Sequence, residues 1–153
     1  VIVELFDITD ANRLARAFAI RMRVFVTEQG VPPEEEVDEH DRTDRDAVHA
    51  LALRDASDPA SAVGAGRFYI ADKDSRTVQI GRMAVDAAAR GSGVGAAILA
   101  ALVDEARRRG FAKAHLHAQA HATEFYRKAG FVTDGDPLWD AGILHVPMSR
   151  PLA

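Results

Sequence analysis

The sequence predicts a mixed α/β, or α+β, domain. Three observations lead there: short strand-like runs separated by polar turns up to Val85, a change to helical periodicity from Val94, and a return to strand patterning at Ala112. The expected order is β-α-β-β-β-α-β-α-β-β. No linker, repeat or low-complexity tract interrupts it, so residues 1–153 are expected to form a single domain.

Val1 to Phe6 is the expected first strand. Thr9 or Asp10 follows with a side-chain oxygen able to accept from the free N–H groups of a helix start. The helix beyond is expected to place Leu14, Phe18, Met22 and Phe25 along one face, with Arg13, Arg16, Arg21 and Arg23 elsewhere. Gly30, Pro32 and Pro33 then stop regular structure and open an acidic loop.

Ala47–Arg54, Ala62–Ile70 and Thr77–Val85 are the next three strands. Polar turns at Asp55–Pro59 and Asp72–Ser75 separate them, which predicts an antiparallel meander. From Val94 to Arg109 the residues Ile98, Leu99, Leu102, Val103 and Ala106 form a helical stripe. Three arginines occupy its last turn, where cations complement the helix dipole, and Gly110 ends it. Ala112–Ala118 is a fifth strand reached by a crossover, hence expected parallel to the fourth. A short helix over His121–Ala129 and closing strands at Phe131–Val132 and Gly142–Met148 complete the chain.

Composition narrows the function classes. No apolar run approaches the roughly 20 residues of a membrane span, so no membrane association is expected. The first residues lack the basic start and apolar region of a signal peptide, and a cytoplasmic location is expected. Cysteine is absent, which removes disulfides, thiolate metal sites and a cysteine nucleophile. The net charge of −4 offers no footprint for nucleic acid. Charge is unevenly spread: Glu34 to Asp46 holds eight acids against Arg42 and Arg45, so this stretch carries −6 and the remainder +2. A mildly basic body suits a polyanionic cofactor. The acidic loop suits a cationic amine, or is a solvated excursion; both readings stay open.

The stretch with chemical content is Arg90-Gly91-Ser92-Gly93-Val94-Gly95-Ala96, between the end of a strand and a long helix. Glycines let the main chain approach a ligand, and unpaired N–H groups at a helix start form an anion cradle. Arg90 adds a positive charge at its edge. A Walker loop is excluded because Gly-Lys-Ser/Thr is missing. Gly91-x-Gly93-x-x-Ala96 fits a relaxed dinucleotide fingerprint, but the acid expected about 20 positions later is absent from Lys113–Ala118.

These residues resemble the pyrophosphate signature of the GNAT superfamily, Arg/Gln-x-x-Gly-x-Gly/Ala. Leu116-His117-Ala118-Gln119 and Phe125-Tyr126-Arg127-Lys128-Ala129-Gly130-Phe131 are similar to the family's later strand and its Phe-Tyr-x-x-x-Gly-Phe element. Arg23-Val24-Phe25-Val26-Thr27-Glu28-Gln29, with Glu36, Asp38, Asp41 and His49, resembles the ElaA-type subgroup. The three blocks occur in order across nearly the whole chain.

The resemblance implies a three-layer domain whose central, mostly antiparallel sheet splays between strands 4 and 5. It implies an N-acetyltransferase that carries an acetyl group from acetyl-CoA by direct attack to a primary amine of a small molecule or peptide. Residues 90–96 (Arg90, Gly91, Ser92, Gly93, Val94, Gly95 and Ala96) would take the pyrophosphate. Met83, Ala84 and Val85 would run beside the pantetheine, with a strand bulge aiming one N–H at the thioester oxygen. Tyr126 falls where the family places the acid that protonates the departing sulfur. Gln119 stands where many members carry Asn, and its extra length is a departure. For the base, Glu28, His145 and a water chain remain open. Edge strands in this family commonly pair, which makes a homodimer an expectation. The alternative is an acyl-CoA-binding sensor or scaffold of the same fold without turnover. His115, His117 and His121 lie close in sequence but lack a neighbouring acid or cysteine, so no metal is expected. Trp139 is expected to stabilise a loop.

Overall fold

The computed structural model describes residues 1–153. The strands are β1 (Ile2–Phe6), β2 (Val48–Leu53), β3 (Ala62–Asp72), β4 (Thr77–Val85), β5 (Lys113–Gln119), β6 (Val132–Thr133), β7 (Leu138–Asp140) and β8 (Ile143–Pro151). The α-helices are α1 (Ala11–Arg21), α2 (Pro33–Glu36), α3 (Glu39–Arg42), α4 (Val94–Arg108) and α5 (Thr123–Lys128). All eight strands form one sheet in the order β1-β2-β3-β4-β5-β8-β6, with β7 also paired to β8. Only β4 and β5 run parallel, as the crossover through α4 requires. α1 packs on one face of the sheet and α4 on the other, giving three layers.

The stripe expected of α4 is buried in full: Ile98, Leu99, Leu102, Val103 and Ala106. This helix lies close on β3 because Gly64 has no side chain. A Cβ there would come within 2.7 Å of Ile98 Cδ1 and 2.8 Å of Val94 Cγ1. The first turn of α4, and with it the glycine turn, is thereby held at a fixed height above the sheet.

α1 departs from its expected face. Asp10 caps it by accepting from the Arg13 N–H, but the buried residues are Ala17, Ile20 and Arg21, followed by Val24. Two causes combine. Beyond Arg21 the chain continues as a π-helix over Met22–Glu28, which changes the periodicity. Arg21 itself is 1% exposed, held inward by acids from the next segment.

Those acids overturn the reading of the acidic loop as a solvated excursion. It folds into α2 and α3, and two of its carboxylates are core residues: Glu36 and Asp41 are each 3% exposed. Arg21 donates to Glu36 Oε1 at 2.9 Å and to both oxygens of Asp41 at 2.8 and 2.9 Å. Arg67 on β3 donates to Asp41 at 2.9 Å and to Asp38 at 2.7 and 2.6 Å. Asp38 also caps α3 in a reciprocal capping box with Asp41. The segment is thus stapled to the sheet by guanidinium groups rather than by apolar packing, leaving Arg67 Nε as a sealed donor without a partner. β7 is an element the sequence pattern did not indicate, and Trp139 within it is 71% exposed.

Candidate acyl-transfer site

β4 and β5 pair over only four residues each, from Thr77 opposite Lys113 to Ile80 opposite Leu116. Past that point β5 keeps its antiparallel partner β8 as far as Gln119, while β4 stays with β3. The two strands therefore diverge, and the β5-facing edge of Gly81–Val85 has no strand partner. A cleft of about 510 Å³ opens there. Its lining includes Met83, Ala84, Val85, Arg90, Gln119 and Tyr126, together with Glu28 and His145.

β4 carries a bulge beside the cleft. Gly81 faces Arg67 and Ala84 faces Ala65, so three steps on β4 match two on β3. Arg82 takes the extra position with φ of +52°. Before the bulge Val78 and Ile80 point to the α4 layer; after it Met83 and Val85 do, and Ala84 joins the α1 layer. Arg82 donates from Nε to the Glu36 carbonyl at 3.1 Å, which ties the bulge to α2.

The glycine turn follows. Gly91 and Gly93 have φ of +81° and +85°, a region costly to a side-chain-bearing residue, and a Cβ on either would enter open space. Every backbone N–H from residue 91 to residue 96 lacks an acceptor within the protein; the ladder resumes with Ala97 N–H donating to Gly93 O at 3.0 Å. The turn is pinned from below, since Ser92 Oγ donates to the Ala89 carbonyl. Arg90 donates from Nε to Val85 O at 3.0 Å and pairs through Nη2 with Glu28 at 2.8 Å. Six free amides at the N-terminus of a four-turn helix make an anion seat of the kind a diphosphate fits.

The candidate acid is Tyr126, on α5. Phe125 and Phe131 meet its ring edge-on, with centroids at 5.0 and 6.1 Å. Its hydroxyl has no hydrogen-bond partner within the protein, and burial pushes its pKa up to about 12. Such a group keeps its proton at neutral pH, and it lines the cleft.

The two candidate bases differ. Glu28, the last residue of the π-helix, is engaged by Arg90. His145, on β8 opposite Gln119, is held by a 2.8 Å bond between Nδ1 and the Ile143 carbonyl. A carbonyl only accepts, so Nδ1 carries the proton and the Nε2 of the neutral ring has a free lone pair. Gln119 is paired reciprocally with Gln29, through bonds of 2.9 and 3.2 Å between their side-chain amides. That extra contact from the end of the π-helix across to β5 uses the length by which Gln exceeds Asn. His115 is tied to Gln79 at 2.7 Å.

The residues that sequence reasoning missed are Arg67, Tyr69 and Arg82, all lining the cleft. Arg67 and Tyr69 sit on the inner strand β3, and nothing in their local pattern marks them. For Arg82 a signal existed, because the apolar spacing along β4 runs two, three, two.

Comparison with known proteins agrees with this geometry. Residues 34–152 match the acetyltransferase (GNAT) domain family. The chain is 37% identical over 140 residues to the uncharacterized N-acetyltransferase YjcF of Bacillus subtilis (strain 168), covering 91% of this chain and 93% of that one. Its fold matches the crystal structure of an acyl-CoA N-acyltransferase from Pseudomonas aeruginosa with a TM-score of 0.83 and 27% identity, over 98% of this chain and 99% of that one. It matches the crystal structure of Escherichia coli ElaA with a TM-score of 0.82 and 25% identity, over 97% and 98% of the two chains. A diverging β4–β5 pair, a free-amide glycine turn and a sequence match over most of the chain lead to one assignment: the chain belongs to the GNAT family of acetyltransferases.

Proposed function

We propose that residues 1–153 act as one acetyl-CoA-dependent N-acetyltransferase domain, which moves the acetyl group by direct attack to a primary amine. The observation that carries this reading is the run of unpartnered amides at residues 91–96, next in the chain to Arg90, which lines the cleft between β4 and β5. Acetyl-CoA supplies an activated thioester. The remaining work belongs to this chain.

The amides of residues 91–96 hold the diphosphate, with Arg90 beside them. The unpaired edge of Met83–Val85 aligns the pantetheine arm as an added strand would be aligned. A backbone N–H released from the ladder by the bulge at Arg82 steadies the negative charge that builds on the carbonyl oxygen. His145 Nε2 takes a proton from the attacking amine, since its lone pair is free and Glu28 is occupied by Arg90. As the carbon–sulfur bond breaks, the Tyr126 hydroxyl gives its proton to the departing sulfur. New C–N bond, lost C–S bond and both protons then balance.

The test is calorimetry with coenzyme A, followed by release of free thiol from acetyl-CoA against a panel of amines. Single-site binding and amine-dependent thiol release are expected. Absence of binding overturns the reading. Binding without turnover on any amine replaces it with an acyl-CoA sensor.

A further inference from the structure

Several residues that line the cleft have no part in the cofactor grip just described: Glu36 and Asp38, from α2 and the segment after it, and Arg67, Tyr69 and Arg82. Five carboxylates line the cleft as a whole (Glu28, Glu35, Glu36, Asp38 and Asp140) against three guanidinium groups (Arg67, Arg82 and Arg90). With the histidines neutral the lining carries −2, on a wall that contains no lysine.

Glu36 is the unusual member. Its side chain is 97% buried, yet it borders the cleft. Oε1 receives Arg21 Nε at 2.9 Å and lies 3.4 Å from Arg82 Nε. Oε2 accepts nothing from the protein, and it is not sealed away as Arg67 Nε is. A carboxylate oxygen this deep needs a donor, and Glu36 lines the cleft, from which one can come. The neighbouring carboxylate of Asp38 accepts from Arg67 at 2.6 Å and from Arg82 at 3.5 Å, so its charge is already shared.

We propose that Glu36 Oε2 binds a second cationic group of the acceptor, so that the substrate class is a small molecule carrying two amines, one that reacts and one that stays protonated. The inference rests on the acetyl-transfer reading above and adds to it the identity of the acceptor's far end. The proposed function already gives the reacting nitrogen a base in His145 Nε2, so Glu36 is not needed there. A carboxylate bound there would stabilise the ammonium form, which has no lone pair and cannot attack. On a cation that does not react, the same carboxylate contributes affinity and alignment without opposing the chemistry. The net negative lining favours a dication over a monocation in the same sense.

Three acceptors of equal chain length test this: 1,4-diaminobutane, n-butylamine and 4-aminobutanoate. For the parent enzyme kcat/KM is expected to be about tenfold or more higher with the diamine than with butylamine, and lowest with 4-aminobutanoate. Glu36→Gln is expected to bring the diamine-to-butylamine ratio to about one, with coenzyme A affinity retained in calorimetry. Should that variant fail to fold, because Arg21 loses a partner, the parent's ranking and its diamine binding decide. That binding is measured by calorimetry on the CoA-loaded protein and should weaken as salt rises. Equal rates for diamine and butylamine, or a preference for 4-aminobutanoate, overturn the proposal and leave acetyl transfer intact. Saturable, salt-sensitive diamine binding without turnover does the reverse.

Discussion

Glu28 and Arg90 meet at 2.8 Å, joining the last residue of the π-helix to the arginine that heads the glycine turn. Both side chains are more than a third exposed, so the pair adds little to stability, about 0–1 kcal/mol. Its interest lies in what shares Arg90. A diphosphate on the neighbouring amides would share that guanidinium with Glu28. Arg90→Gln is therefore expected to leave the melting temperature nearly unchanged and to weaken coenzyme A binding about tenfold at low salt, less at high salt. Calorimetry at two ionic strengths checks both parts; unaltered affinity at low salt would remove Arg90 from the anion seat.

Tyr126→Phe removes a hydroxyl that has no partner in the protein, so folding and coenzyme A affinity should survive. Turnover should fall about 100-fold or more if that hydroxyl protonates the departing sulfur. Steady-state kinetics beside a thermal melt separates this from a packing defect, which would lower both.

The pH profile carries a related expectation. Tyr126 is protonated below its pKa, which burial raises to about 12, so its acid form persists through neutral and mildly alkaline pH. Rate loss assigned to this group appears only as pH climbs toward that value. A plot of log kcat that stays flat from pH 8 to about 10 is expected; a tyrosine-linked decline starting near pH 9, absent in Tyr126→Phe, would contradict it.

Asp41 tests the ion-pair staple. Burial by itself would raise its pKa, but the hydrogen bonds and charge of Arg21, and the charge of Arg67, outweigh burial and hold it well below the ordinary carboxylate range. A lowered folded-state pKa means a stabilising contribution that is complete above the unfolded value of 3.8 and is lost as pH falls through the folded one. Urea midpoints should therefore drop as pH goes below about 4. Asp41→Asn, which leaves Arg21 and Arg67 short of a buried counter-charge, should cost about 3–5 kcal/mol and flatten that acid dependence.

Gly93→Ala addresses the turn. The added methyl meets no protein atom, so its cost to folding is the left-handed backbone alone, about 1–2 kcal/mol. It projects into open space at the glycine turn, and the thermal shift produced by coenzyme A should shrink by more than the apo melting temperature falls.

Much of the fold was legible because its signals are local and periodic. β4 was bounded correctly at Thr77–Val85, every residue read into the α4 stripe is buried, with Val94 added to it, and the crossover gave the parallel β4–β5 pair. The glycine turn was legible for the same reason, being contiguous. What failed was whatever depends on distant partners. Arg21 falls on a helix and was placed away from the core, because nothing within one turn reveals that Glu36 and Asp41 will reach it. The pairing of Glu28 with Arg90 spans 62 positions, and that of Gln29 with Gln119 spans 90. Charge counts described the acidic stretch as one object, whereas in space Glu36 and Asp41 are interior and Glu34 and Glu35 are not.

The inserted residue in β4 has a consequence for how this chain can vary. Because Ile80 belongs to one apolar layer by even parity and Met83 and Val85 belong to it by odd parity, the strand tolerates replacement near Arg82 far better than a change of length. Removing one residue there would turn Ala84 out of its layer and present Met83 and Val85 to the wrong side of the molecule. Homologous chains are thus free to differ in identity between Gly81 and Ala84, yet should all keep the same number of positions, while insertions and deletions collect in the exposed hairpin at residues 55–60.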